Sequence, residues 1–335
     1  MMKIGLVASA NGLGHIRRLC HLASGLMNLG FEVEILALSK QIMRVKDEFK
    51  FDNYPMRFIP IEIYGIEGPA WYANGCRSTQ PSKDIVEKII KYDWVLTDNV
   101  IWPFRFSNKV ILFGHFTWID YWLEYRNQIF SPKVDKIFKQ EYQLIQKIKT
   151  YFNFSDFALQ NSIIPKNSQI KTKLMRYETD QFLPRSVKSS NQIWLASGVT
   201  GLRDLKDYDF LRNFQYEVFE RESFRLVHSN TKPLFIAGRP GLGTIRDCMA
   251  VGVPLFPIWN KADPELNSNV LKLKELTLIP FFSSENNIDN LNNLIENMSQ
   301  SNDLNFSWSE KWMGLSVEVS KICNDILSVV TKMQE

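Results

Sequence analysis

Short apolar runs alternate with stretches of helical periodicity from the first residues onward. Ile4-Gly5-Leu6-Val7-Ala8 is an uninterrupted run of strand length, the pattern of a strand buried on both faces. Gly12 to Gly14 make a turn. Ile16, Leu19, Cys20, Leu22, Ala23 and Leu26 then recur at helical spacing, and Gly30 closes that helix. Residues 31–38 predict a second strand. Further strands are expected at 57–61, 94–97, 110–113 and 157–159, with helices at 83–91 and 134–151. Strands alternating with helices predict a parallel sheet covered on both faces.

Residues 161–190 are polar, carry Pro165 and Pro184, and show little periodicity. They are expected to connect two domains, 1–165 and 190–335. The second domain repeats the alternation, with strands expected at 193–196, 233–237, 253–257 and 277–280. Its helices are expected at 243–251, 267–275, 288–298 and 308–331. The expected fold class is α/β, with two Rossmann-like α/β/α domains.

Composition adds bounds. Hydrophobic residues make up 45% and charged residues 23% of the 335-residue chain, ordinary values for a globular protein with room for two cores. Lys and Arg number 40 against 36 Asp and Glu, and a net +4 is too small to argue for nucleic acid. It suits an anionic small ligand. Cys20, Cys76, Cys248 and Cys323 are scattered, with no CxxC pair and no Cys/His cluster. Neither a disulfide framework nor a zinc site is expected, and free thiols point to a reducing compartment. No run approaches the roughly 18 apolar residues of a spanning helix, and the apolar start is too short for a signal peptide. A cytoplasmic protein is expected.

Three segments carry chemistry. The first runs from Ala8 to Arg18 and contains Gly12-Leu13-Gly14-His15 between a strand and a helix. Such a turn lets a ligand approach the backbone, and the helix start attracts negative charge. A dinucleotide site is disfavoured, because Arg17 stands at the third glycine position and Ala37-Leu38-Ser39 lacks the ribose-binding acid. No GK[ST] phosphate loop is present. At a helix start the positive end of the dipole disfavours an imidazolium. A neutral His15 there can take a proton from an alcohol or water; otherwise it caps or packs.

The second segment, Asp93 to Asn99, ends a strand at Asp98. Asp98 can orient His15 and stabilise its protonated form, or cap a helix. The third runs from Gly238 to Pro254, follows an apolar strand and opens a helix. Backbone amides around Gly241, Leu242, Gly243 and Thr244 can cradle a diphosphate, with the Thr244 hydroxyl as a further donor. Arg239 can pair with the phosphates. Asp247, one helical turn on, can accept from ribose hydroxyls.

Together these segments resemble the nucleotide-sugar glycosyltransferases of the two-domain GT-B fold. The third is similar to their donor signature, with Asp247 where the family has Glu. Arg239 stands where plant-type members carry His and the peptidoglycan N-acetylglucosaminyl transferases carry Arg. Asp263-Pro264-Glu265-Leu266-Asn267 resembles the Asp-Gln-x-x-Asn element that touches the donor sugar, with Pro264 for Gln. The resemblance implies two domains facing a cleft, the second shortened, and a last helix crossing back to the first. It places Ser197 and Gly198 with the nucleotide-binding residues, Asp263, Glu265 and Asn267 at the donor sugar, and Gly12 and Gly14 in the acceptor-side loop. It makes His15 the base and Asp98 its acid partner. The stretch from Gly14 to Arg18 is also similar to the UDP-sugar hydrolases of pseudaminic acid synthesis, in which the His activates water.

Trp102, Phe104, Phe106, Phe113, Phe116, Trp118, Tyr121, Trp122 and Tyr125 lie among Arg105, Lys109 and Arg126. They read as core with snorkelling basic residues, or as an edge for a lipid-linked acceptor and peripheral membrane contact. His115 follows a strand end and can contact the acceptor; His21 is expected to be structural. The helix around Lys136 to Lys149 reads as a solvated face over an apolar stripe. The implied activity is inverting transfer of a sugar from a nucleotide-diphosphate sugar, UDP-linked by default, to a glycan, lipid-linked or small-molecule acceptor. No metal, no further cofactor and no nucleic acid is expected. A nucleotide-sugar hydrolase and a non-catalytic sugar-nucleotide-binding subunit are the alternatives.

Overall fold

The structure, a computed structural model, describes residues 1–46, 56–67, 80–124, 132–154, 163–177, 192–196, 216–219, 235–257, 263–276 and 313–333, with positions 156, 157, 159, 233, 259, 278 and 311. The chain divides into two compact units. One is Met1–Met175 together with Val317–Glu335; the other is Arg176–Ser316.

The first unit is built on strands β1 (Lys3–Val7), β2 (Glu32–Leu38), β3 (Arg57–Ile61), β4 (Trp94–Asp98), β5 (Val110–Gly114), β6 (Tyr151–Phe154) and β7 (Gln169–Thr172). They form one parallel sheet in the order β3-β2-β1-β4-β5-β6-β7. Helices α1 (Gly14–Asn28), α2 (Ser39–Val45), α3 (Lys83–Lys91), α4 (Trp118–Glu124) and α5 (Pro132–Ile145) fall between the strands. The order reverses between β1 and β4, whose carboxyl ends flank the crevice where open α/β sheets bind ligands. Register sets Val7 opposite Thr97, so the turn after β1 and the end of β4 meet there.

Two expectations fail at the far side of this sheet. Phe157 and Leu159 are buried but belong to no strand; the strand is Tyr151–Phe154, and α5 stops at Ile145. Ile145, Ile148 and Tyr151 keep a three-residue apolar spacing past the helix end, so periodicity overruns it. The polar stretch 161–190 also contains β7 and β8 (Leu174–Arg176). β7 is an edge strand, half-exposed, and shows no apolar run for that reason.

The second unit holds β9 (Ile193–Ala196), β10 (Tyr216–Phe219), β11 (Phe235–Gly238) and β12 (Leu255–Pro257), parallel in the order β10-β9-β11-β12. Helices α6 (Leu242–Val251) and α7 (Pro264–Glu275) belong to it. β10 is a strand the sequence pattern did not predict. The helix expected at 288–298 and, apart from buried Leu278, the strand expected at 277–280 lie outside the described residues.

The helix expected at about 308–331 is interrupted: positions 311 and 313–315 are helical, and a strand then breaks the run. Strand β13 (Ser316–Glu318), paired with β8, precedes α8 (Val319–Lys332). The two passages between the units, at Met175 and at Ser316, both fall in this strand pair. α8 buries Val319, Ile322, Cys323, Ile326 and Val330, and its Cys323 Sγ lies 3.7 Å from the Leu22 carbonyl of α1.

The described aromatics of the 102–122 zone are core. Trp102, Phe104, Phe116, Trp118, Tyr121 and Trp122 are buried in one cluster, with edge-to-face pairs 5.0 Å (Phe116–Trp118) and 5.2 Å (Trp118–Tyr121) apart. Tyr125 and Arg126 lie outside the described residues. Among the described residues no helix is long and apolar enough to cross a membrane.

Candidate active site

His15 and Asp98 meet at the β1/β4 crevice. The helix start puts His15 on the first turn of α1, and β4 ends in Asp98. His15 Nδ1 lies 3.1 Å from Asp98 Oδ1, with both side chains buried. A third group, Arg18, joins them. Its Nε donates to Asp98 Oδ2 at 2.8 Å and its Nη2 to Oδ1 at 2.6 Å, a two-pronged pair. Arg18 Nη2 is also 3.1 Å from His15 Nδ1. His15 and Arg18 are three positions apart on α1 and so share a face. Burial alone would push the Asp98 carboxyl up; the Arg18 guanidinium, and then His15, outweigh it and hold Asp98 at about 2. A carboxylate held charged can accept Nδ1–H and leave Nε2 as the basic nitrogen.

The turn that carries His15 is gripped from several elements. Glu67 Oε2 accepts from the Ala10 amide at 2.7 Å. Gln41 Nε2 donates to the carbonyls of Ser9 and Gly12, at 2.9 and 2.6 Å. Trp118 Nε1 donates to Ser9 Oγ at 2.8 Å. Gly12 has φ +75°, and side-chain carbons added at Gly12 or Gly14 would meet nothing within 4 Å. The backbone there is open to a ligand.

Just past Asp98, Asn99 takes the left-handed conformation at φ 62°. Its Oδ1 accepts the His115 amide at 3.2 Å, and a Cβ on Gly114 would come within 1.8 Å of that oxygen. Gly114 is therefore required by space as well as by its φ of +137°. His115 is buried at the end of β5 with its ring edge-on to Phe116 at 4.5 Å. His21 is half-buried further along α1.

In the second unit β11 delivers Arg239, Gly241 and the start of α6. Gly241 is the N-cap residue, with no side-chain cap, and a Cβ there would meet nothing within 4 Å. Gly243 is exposed and Thr244 half-exposed, and the first-turn amides of α6 have no partner within the helix. Arg239 Nη2 pairs with Asp263 Oδ2 at 3.1 Å. Asp263 also caps α7, accepting from the Leu266 amide at 3.1 Å, with Pro264 in the first turn. Asp247 pairs with its neighbour Arg246, whose guanidinium lies 3.9 Å over the Tyr177 ring. Glu265 is buried and Asn267 half-buried on α7. Asn269 Nδ2 donates to the Pro240 carbonyl at 2.9 Å and ties the donor loop to α7. Ser197 and Gly198 lie outside the described residues. No three His, Cys, Asp or Glu side chains gather into a metal-binding group among the described residues.

Sequence reasoning missed Arg18, Glu67, Gln41 and Asn269. Arg18 alone left a usable signal, its spacing from His15.

No protein-family model matches the sequence, and no curated protein matches it. Solved structures do. LpCGTa in complex with UDP aligns at a TM-score of 0.64 and 10% identity, over 99% of each chain. The glycosyltransferase VinC in complex with DTDP aligns at 0.61 and 14% identity, over 99% of this chain and 100% of that one. MurG of Acinetobacter baumannii aligns at 0.54 and 13% identity, over 99% and 100%. The likeness covers nearly the whole chain, and what it establishes is architecture: the protein has the GT-B glycosyltransferase fold.

Proposed function

We propose that the chain is an inverting nucleotide-sugar glycosyltransferase in which His15 is the base. The observation that carries this reading is the buried His15–Asp98 pair, with Asp98 held as a carboxylate, beside an open glycine turn at the β1/β4 crevice. The second unit binds a UDP-linked donor. Its α6 amides, Thr244 and Arg239 take the diphosphate, Asp247 the ribose, and Asp263, Glu265 and Asn267 the sugar. UDP and DTDP, named with two of the structural neighbours, are both pyrimidine nucleoside diphosphates. Arg239 and Asp247 each hold an ion-pair partner here, so donor binding exchanges those partners for phosphate and ribose.

His15 Nε2 takes the hydroxyl proton of the acceptor while Nδ1–H stays on Asp98. The acceptor oxygen forms its bond to the anomeric carbon as the bond to the diphosphate breaks. The electron pair leaves on the diphosphate, whose charge the α6 amides, Thr244 and Arg239 stabilise without a metal. A single displacement inverts the anomeric centre.

Thermal unfolding with UDP, GDP, ADP, CMP and dTDP tests the donor half. A nucleotide at 100 times its Kd adds about 2.7 kcal/mol. UDP is expected to stabilise the wild type and His15→Gln but not Asp247→Ala. With donor and acceptor supplied, His15→Gln is expected to lower kcat by about 10²- to 10⁴-fold. Free sugar released at full rate without acceptor would make the protein a hydrolase. Stabilisation with no turnover would make it a binding subunit. A retained anomeric configuration would remove His15 from the base role.

A further inference from the structure

Glu67 has no part in the reaction above, yet its carboxyl is buried against the turn that carries His15. Its Oε2 accepts from the Ala10 amide at 2.7 Å, and the Ser9 hydroxyl donates to the carboxyl as well. Ser9 Oγ in turn accepts from Trp118 Nε1. Three side chains from three places in the chain therefore hold Ser9 to Gly12: Glu67 after β3, Gln41 of α2 and Trp118 of α4. Only Glu67 among them can change its charge. The titratable group facing it is Glu141 of α5, whose carboxyl is also pushed up by burial, against the pull of its partner Arg105. Glu67, Glu141, Asn99 and Trp118 line one small cavity, so the packing around the turn and around the residue after Asp98 is shared.

We propose that Glu67 is a positioning residue for His15, its side chain holding the turn between β1 and α1 in the conformation that presents the imidazole. The proposal rests on the reading of His15 as the base. Burial pushes the Glu67 carboxyl up to about 8, with the Ala10 amide opposing and Glu141 adding to the rise. At neutral pH an uncharged acid grips the turn. Above that range a negative charge appears in the cavity beside Glu141, and the grip on Ala10 and Ser9 is redrawn.

The experiment follows the Cε1–H resonance of His15 in the full-length chain, assigned by its loss in His15→Gln. At neutral pH Glu67→Ala is expected to shift it. Glu67→Gln keeps an acceptor for Ala10 without a titratable proton and is expected to restore the wild-type position. Raising the pH through about 8 is expected to move the resonance in the wild type and not in Glu67→Gln. A His15 resonance in folded Glu67→Ala that coincides with the wild type overturns the proposal. If Glu67→Ala does not fold, a wild type with no step near that pH overturns it instead. In turnover, Glu67→Ala is expected to lower kcat with the donor KM unchanged, and Glu67→Gln to recover it. A wild type that turns over no nucleotide sugar defeats the transferase reading, and the resonance still decides on Glu67.

Discussion

Asp98 is fully buried, and its ionisation depends on the two side chains that α1 brings to it. That dependence has a measurable sign. A carboxyl held at about 2 in the folded chain, against an ordinary 3.8, adds stability above the ordinary value and loses it as pH falls toward 2. The loss is about 2 kcal/mol. Asp98→Asn is expected to flatten this limb of the stability–pH curve, measured by urea unfolding between pH 5 and pH 2; an unchanged limb assigns it to other carboxylates. His15 and Asp98 are legible in the sequence because each ends a recognisable pattern, a glycine turn and an apolar strand. Glu67 and Asn269 are not, because each is a lone polar residue whose meaning lies in a backbone group far off. Ala10 is 57 positions from Glu67, and Pro240 is 29 from Asn269.

At the scale of elements, the helix that carries His15 is clamped on its other side. A Cβ on Gly25 of α1 would come within 2.6 Å of Cys323 Sγ and 3.0 Å of Val319 on α8. The two helices approach because Gly25 offers no side chain and Cys323 fills the space with one sulfur. Gly25→Ala is therefore expected to lower stability through overpacking, by about 1–3 kcal/mol. Combined with Cys323→Ala it should cost less than the two single changes added together, by about 1 kcal/mol in a double-mutant cycle. Strict additivity would mean that the helices do not meet at this pair. Elements of this kind are legible where one face or both faces are buried: β1, β2, α1 and α6 stand close to their predicted bounds. β7 escapes because an edge strand needs no apolar run. The start of α8 escapes because the strand before it, Ser316–Glu318, is only three residues long.

For the whole molecule, the telling fact is that the first unit is made from both ends of the chain. Full burial of an aliphatic side chain is worth about 1.5–3 kcal/mol. The apolar stripe of α8 (Val319, Ile322, Cys323, Ile326 and Val330) is thus comparable with the 5–15 kcal/mol that holds a typical domain together. A chain ending at Ser316 is expected to lose hydrogen-exchange protection in α1 and β1, although neither is touched by the truncation. Protection at wild-type level would show that α8 is dispensable. Periodicity gives two alternating series but does not say which sheet a last helix covers; only the resemblance implied that this helix crosses back to the first domain.

Synthesis gives that discontinuity a clock. A ribosome releases Met175 first and must then make all of Arg176–Ser316 before the closing helix emerges. At about 5–20 residues per second this interval is on the order of ten seconds. Throughout it the underside of α1 is uncovered, and the nascent part of the first unit waits for α8. A message cut short anywhere before Val319 yields a chain whose His15 helix is never backed, so a stretch translated after the second unit decides whether the His15 helix can work.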